Sequence, residues 1–200
     1  MKILGINALN HDAAITLIED DRILFAAHAE RYSGIKNDSN LNKEMFEDME
    51  NYIVQNSRGG IDKVVYFENP YTKKLRQFMA GQYREVFSRK NMPQYHIDSV
   101  LGKGRYTIDE YVDHHLSHAS STYFTSPYKE SAVVCIDAIG EFDTITIWYA
   151  RGNKLEKRYS QVYPHSLGLW YSAMTQRLDL KPQEDEFILM GMAAWGRGSE

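Results

Sequence analysis

Ala132-Val133-Val134-Cys135-Ile136-Asp137-Ala138-Ile139-Gly140-Glu141-Phe142-Asp143-Thr144-Ile145-Thr146 repeats a pattern that opens the chain. An apolar run, a polar loop and a second apolar run read as strand, turn and strand. The same order stands at residues 3–6, 7–12 and 13–18, and laying one stretch on the other matches Ile6 with Ile136, Ala8 with Ala138, Ile15 with Ile145 and Thr16 with Thr146 without a gap. Asn7 falls on Asp137, and Asn10 on Gly140. A third strand follows each pair: residues 23–29 after Glu19-Asp20-Asp21, and Leu155 onward after Gly152-Asn153. Repetition of a three-stranded meander predicts an α/β protein of two similar lobes. Their polar loops, residues 7–12 and 137–143, are expected to face one another across a cleft, where α/β folds bind ligands.

Helices fill the interval. Asn40 is expected to cap a helix whose apolar face carries Leu41, Met45, Met49, Tyr52 and Ile53, broken at Gly59-Gly60. Residues 64–67 read as a buried strand, and residues 132–136 as another. Pro70 opens a second helix running to about residue 88, with Leu75, Phe78, Met79, Tyr83 and Phe87 as its core stripe. Residues 91–105 carry one proline and two glycines and read as a connection. Asp113 caps a helix that ends near Tyr123, before Ser126-Pro127, and a last helix follows Pro164-His165-Ser166-Leu167-Gly168. The lobes are set at residues 1–125 and 126–200. The second stops at Gly198-Ser199-Glu200 with few covering helices, so the expectation is a fragment of a longer protein with a truncated second lobe.

The chemistry centres on His114-His115-Leu116-Ser117-His118. On a helix, His114 and His118 lie one turn apart with Cβ atoms about 5–6 Å from each other. That spacing lets two imidazoles share one ion. Asp137 adds a carboxylate at the tip of an apolar strand, and two histidines with one carboxylate suit a divalent metal with open positions for substrate. The bland alternative is a pair of ordinary histidines on an amphipathic helix.

Bulk properties exclude several classes. The 200 residues are 43% hydrophobic and 25% charged, with a formal net charge of −4, which gives no global attraction to nucleic acid or an anionic membrane. The single Cys135 excludes an internal disulfide and sits in an apolar strand as a buried thiol. No apolar run reaches the roughly 18 residues of a membrane span, and the N-terminus lacks a signal-peptide layout, so the expected compartment is the cytoplasm. The segment from Lys73 to Arg105 is locally basic and reads as the solvated face of an amphipathic helix, with a phosphorylated acceptor as the weaker alternative.

Together, several blocks resemble the carbamoyltransferases of the nodulation and antibiotic-tailoring type, whose catalytic lobe is similar to the threonylcarbamoyl-transfer protein of tRNA modification. They are Gly5-Ile6-Asn7 with His11-Asp12-Ala13-Ala14, Glu30-Arg31-Tyr32 with Lys36, and His114-His115-x-x-His118-Ala119. Ser126-Pro127, Asp137-x-x-Gly140-Glu141-x-x-Thr144, Pro164-His165-Ser166-Leu167-Gly168 and Met190-Gly191-Met192-Ala193 complete the set. The resemblance implies a duplicated actin/Hsp70/sugar-kinase-like (ribonuclease H-like) fold. It also implies a C-terminal domain, in cis or in trans, that makes carbamoyl-adenylate from ATP and carbamoyl phosphate. The N-terminal lobes then pass the carbamoyl group to a hydroxyl or amine acceptor, such as a sugar or nucleotide, beside a metal that is often iron.

By position, His114, His118 and Asp137 match the family's metal ligands, and a further aspartate ligand is expected beyond residue 200. His11 matches a histidine suited to general-base work. Asp12, Lys36, Gly140, Glu141, Ser166 and Gly168 are the expected substrate-binding positions, the last four through N–H groups at a turn and a helix N-terminus. The chain departs from the pattern at Gly34 and Ile188, where cations are usual, and at Ala138, where glycine is usual. These departures motivate two alternatives: a non-catalytic metal- or nucleotide-binding relative, and a sugar-kinase-like phosphotransferase.

Overall fold

The computed structural model describes residues 1–57 and 59–196. The chain divides into two compact units, Met1–Ser117 and His118–Glu200.

The first unit opens with the expected meander: β1 (Lys2–Asn7), β2 (Ala14–Glu19) and β3 (Arg22–His28). β1 pairs antiparallel with β2, and β2 with β3, across the tight Asp20-Asp21 turn. Alternation of Leu4 and Ile6 with less buried residues gives β1 a core face, and Ile15 and Leu17 do the same for β2. After a one-turn helix, α1 (Glu30–Ser33), comes α2 (Lys43–Asn56). Its cap is Asn42, whose side chain accepts a hydrogen bond from Met45 N at 3.0 Å. The expected cap, Asn40, instead bonds Asp38 through both its backbone and side-chain N–H groups. α2 buries Met45, Phe46 and Met49 in the core of this unit.

β4 (Lys63–Tyr66) pairs parallel with β1 and carries the sheet outward. The helix expected from Pro70 to about residue 88 is two: α3 (Pro70–Met79) and α4 (Tyr83–Phe87). Gly81 at φ +75° turns the chain between them, a conformation that costs glycine little. The expected core stripe is a correction too. Leu75, Phe78, Met79, Tyr83 and Phe87 are each at least half exposed. Residues 91–105 also depart from the expected connection, because α5 (Pro93–Leu101) forms there. Pro93 at its first position and the buried pair Ile97 and Leu101, one turn apart, explain why. β5 (Glu110–Tyr111) then pairs parallel with β4 and completes a mixed sheet ordered β3-β2-β1-β4-β5.

The division between units falls inside α6 (His114–Phe124). In the second unit β6 (Glu130–Gly140), β7 (Asp143–Arg151) and β8 (Lys154–Val162) form an antiparallel three-stranded sheet. β6 is longer than expected and not buried throughout: Val133 and Cys135 are buried, while Val134 and Ile136 are exposed. Its register shifts between Ile136 and Gly140, so Asp137 sits in an irregular stretch of strand rather than at its tip. α7 (Leu167–Arg177) packs on β6, and α8 (Glu186–Ala193) packs on α7. Gly198-Ser199-Glu200, where the sequence stops, lie outside the described residues. Among the described residues no helix is long and apolar enough to cross a membrane. Each unit, taken alone, therefore holds a three-stranded antiparallel meander in an α/β setting.

Candidate metal centre

α6 starts where the sequence places it. Asp113 Oδ1 accepts from Leu116 N at 2.9 Å, which caps the first turn. His114 and His118 then occupy one face of one helix, a turn apart.

His114 is buried, 4% exposed, with its ring 5.3 Å from that of Phe67. Its Nδ1 lies 3.5 Å from Glu68 Oε1. Glu68 is equally buried, and its other oxygen, Oε2, accepts from Lys73 Nζ at 2.7 Å. Burial pushes the Glu68 carboxyl up, but the neighbouring His114 and the Lys73 charge outweigh it and hold the group below its ordinary value. Glu68 is thus a buried carboxylate between a histidine and a lysine. An Nδ1 turned to a carboxylate leaves Nε2 as the donor to an ion, the arrangement common behind metal-binding histidines.

In the second unit, His118 Nε2 stands 3.7 Å from Asp137 Oδ2. That is beyond hydrogen-bond range. It is the spacing of two donors sharing one ion at about 2.0–2.2 Å each. Asp137 is held from behind. Its Oδ1 accepts from Ala138 N at 2.6 Å, and Ser166 Oγ donates to the Ala138 carbonyl at 2.6 Å. Ser166 also caps α7 by accepting from Leu169 N at 3.0 Å. Gly168 brings the first turn of α7 against the same backbone: a Cβ there would lie 2.5 Å from Ala138 Cα and N. Ser166 and Gly168, the expected anion-binding positions, pack against the backbone of the strand that carries Asp137.

Gly140 closes the β6–β7 hairpin by pairing with Asp143, and Glu141 follows at φ +53° with its side chain buried. In the first unit His11 is exposed, and its Nδ1 lies 2.7 Å from Asp12 Oδ2. Asp12, at φ +55°, also has Oδ1 3.6 Å from His28 Nε2. Asp12, His28 and Glu30 bring potential ligand atoms within 4.8 Å of one another. Lys36 is exposed on the turn after α1.

Sequence reasoning missed Glu68 and His28. Glu68 carried the same signal as Asp137, an acidic residue at the C-terminal end of an apolar strand. His28 gave no signal, because only the antiparallel pairing of His28 with Ala14 brings it to the loop holding Asp12.

Several known proteins resemble this chain. It is 32% identical to the uncharacterized protein sll1178 of Synechocystis sp., over 97% of this chain and 34% of that protein. It is 27% identical to the nodulation protein NolNO of Sinorhizobium fredii, over 95% of this chain and 28% of that protein. The chain therefore spans about a third of the length of these relatives. Among solved structures, the PPX-GPPA enzyme of Aquifex aeolicus aligns with all of this chain and 66% of its own, at 14% identity and a TM-score of 0.37. The Lmo2764 protein of Listeria monocytogenes aligns with 98% of this chain and 72% of its own, at 10% identity and a TM-score of 0.40. The model of one family, the carbamoyltransferase N-terminus, matches residues 2–200, and the chain belongs to that family.

Proposed function

We propose that this chain is the metal-holding part of an enzyme that moves a carbamoyl group from carbamoyl-adenylate to a hydroxyl or amine. The observation that carries the reading is the donor set: His114 backed by buried Glu68, His118 on the next turn, and Asp137 at 3.7 Å from His118. These three side chains would hold a divalent ion, with iron the first candidate. When bound, such an ion supplies Lewis-acid polarisation of a carbonyl oxygen.

The remaining work falls to the chain itself. His11 takes the acceptor proton at Nε2, since its Nδ1 faces Asp12, which fixes the ring. The acceptor oxygen or nitrogen bonds to the carbamoyl carbon, the bond from that carbon to the adenylate phosphate oxygen breaks, and AMP leaves. Lys36 steadies the departing phosphate as a point charge. Carbamoyl-adenylate would come from ATP and carbamoyl phosphate on an adenylate-forming domain, in the same protein or a partner. The meander in each unit supports a duplicated, ribonuclease H-like architecture of the actin and sugar-kinase type. A cytoplasmic setting accords with substrates of this kind.

Two measurements test the reading. Metal analysis of the purified chain should find about one divalent ion per chain, lost in H118A and D137N. The protein in its full-length form, given ATP, carbamoyl phosphate and a panel of hydroxyl and amine acceptors, should release AMP in proportion to acceptor. A chain without metal, or AMP release indifferent to every acceptor, would count against it.

A further inference from the structure

α3 is turned against the ordinary sense of an amphipathic helix. Pro70, Lys73, Lys74 and Gln77 follow the i, i+3, i+4, i+7 spacing of one face, and that face lines a partly enclosed cavity of about 290 Å³. Pro70 and Gln77 are buried, and both lysines are partly so. Leu75, Phe78 and Met79, the apolar residues of the same helix, are 56%, 51% and 72% exposed. Sequestering cations while apolar side chains face outward carries a desolvation cost that packing alone does not offset.

The charges in the cavity are unequal. Lys73 is balanced by Glu68. Lys74 donates to two backbone carbonyls, Val86 O at 2.6 Å and Ser88 O at 2.8 Å, which fix its ammonium in place without neutralising it. Arg76 adds a guanidinium to the lining. The one lining carboxylate, Glu85, accepts from Asn91. Amide groups of Asn10, Gln77 and Asn91 complete a wall of donors around an excess of positive charge. The volume is at the small end of ligand pockets. Leu9 and Asn10, which border the cavity, immediately precede His11.

We propose that this cavity binds the phosphate group of a phosphorylated small molecule. Its occupant is then the acceptor or the adenylate of the reaction above; that assignment rests on the carbamoyl-transfer reading, whereas the binding does not.

Calorimetric titration of the chain with inorganic phosphate, glucose 6-phosphate and AMP tests the proposal. At least one probe should bind saturably, and K74M and R76Q should each weaken it about tenfold or more at a temperature where circular dichroism shows the variant folded. K103M removes the same charge outside the cavity lining and should leave binding intact. A preference for glucose 6-phosphate identifies a phosphorylated acceptor, and a preference for AMP identifies the adenylate. Absence of saturable binding by all three probes overturns the proposal. So does equal weakening by K103M, or unchanged binding in both K74M and R76Q. Phosphate binding in a protein that shows no carbamoyl transfer would retain the cavity and remove the reaction.

Discussion

Gly168 shows how tightly single residues control the candidate centre. Its α-carbon faces Asp137 and Ala138 so closely that a methyl group would overlap their backbone. G168A must therefore push α7 off β6 or shift the strand that carries Asp137. Overpacking of this kind costs about 1–3 kcal/mol. Urea denaturation of G168A should show that loss, and metal affinity should fall with it because Asp137 moves. Glu68 acts differently, through the ring it faces. E68Q keeps an acceptor but loses the charge behind His114, and should lower metal affinity by about 10–100-fold. Competition against a metal-sensitive dye reads this directly, and a wild-type affinity in E68Q would remove Glu68 from the centre. Of these residues, His114, His118 and Asp137 were legible from spacing and strand position. Glu68 was as legible in kind but had no partner in sequence to flag it, since Lys73 and His114 meet it only in three dimensions.

At the scale of elements, a histidine ties α5 to the rest of its unit. His96 Nε2 accepts from Leu41 N at 3.1 Å, tying α5 to the entrance of α2. Burial lowers the His96 pKa below its ordinary 6.5, partly offset by the charge of Asp38. A histidine depressed on folding contributes stability above its unfolded value, and that contribution is lost as pH falls through the folded value. Denaturation midpoints of the wild type should thus decline as pH drops below about 6.5, and H96Q should flatten that slope while costing roughly 1 kcal/mol near neutrality. An unchanged slope in H96Q would assign the acid sensitivity elsewhere. The same element marks a limit of pattern reading. Residues 91–105 read as a connection because proline and glycine are helix punctuation, yet Pro93 sits at the one helical position that tolerates it. In α3 the apolar spacing predicts an inward stripe, whereas the lysines that meet Glu68, Val86 and Ser88 turn the opposite face inward.

For the whole molecule, metal binding should couple to folding. An ion that binds only the native chain stabilises it by mass action, about 2.7 kcal/mol at a hundredfold excess over its dissociation constant. The melting temperature should rise on adding Fe(II) or Co(II) under anaerobic conditions, return on chelation, and stay flat in H118A. A flat response in the wild type would oppose a native metal centre. The repeated meander and the capped helix that sets His114 and His118 one turn apart were determined by sequence, because apolar period, capping and i,i+4 spacing are local properties of the chain. Tertiary structure alone decided that Glu68 stands behind His114, that His28 joins Asp12, and that α3 turns its lysines into a cavity. Those outcomes depend on which strands pair and which helix face is covered, and contacts between residues far apart in sequence leave no periodic trace in it.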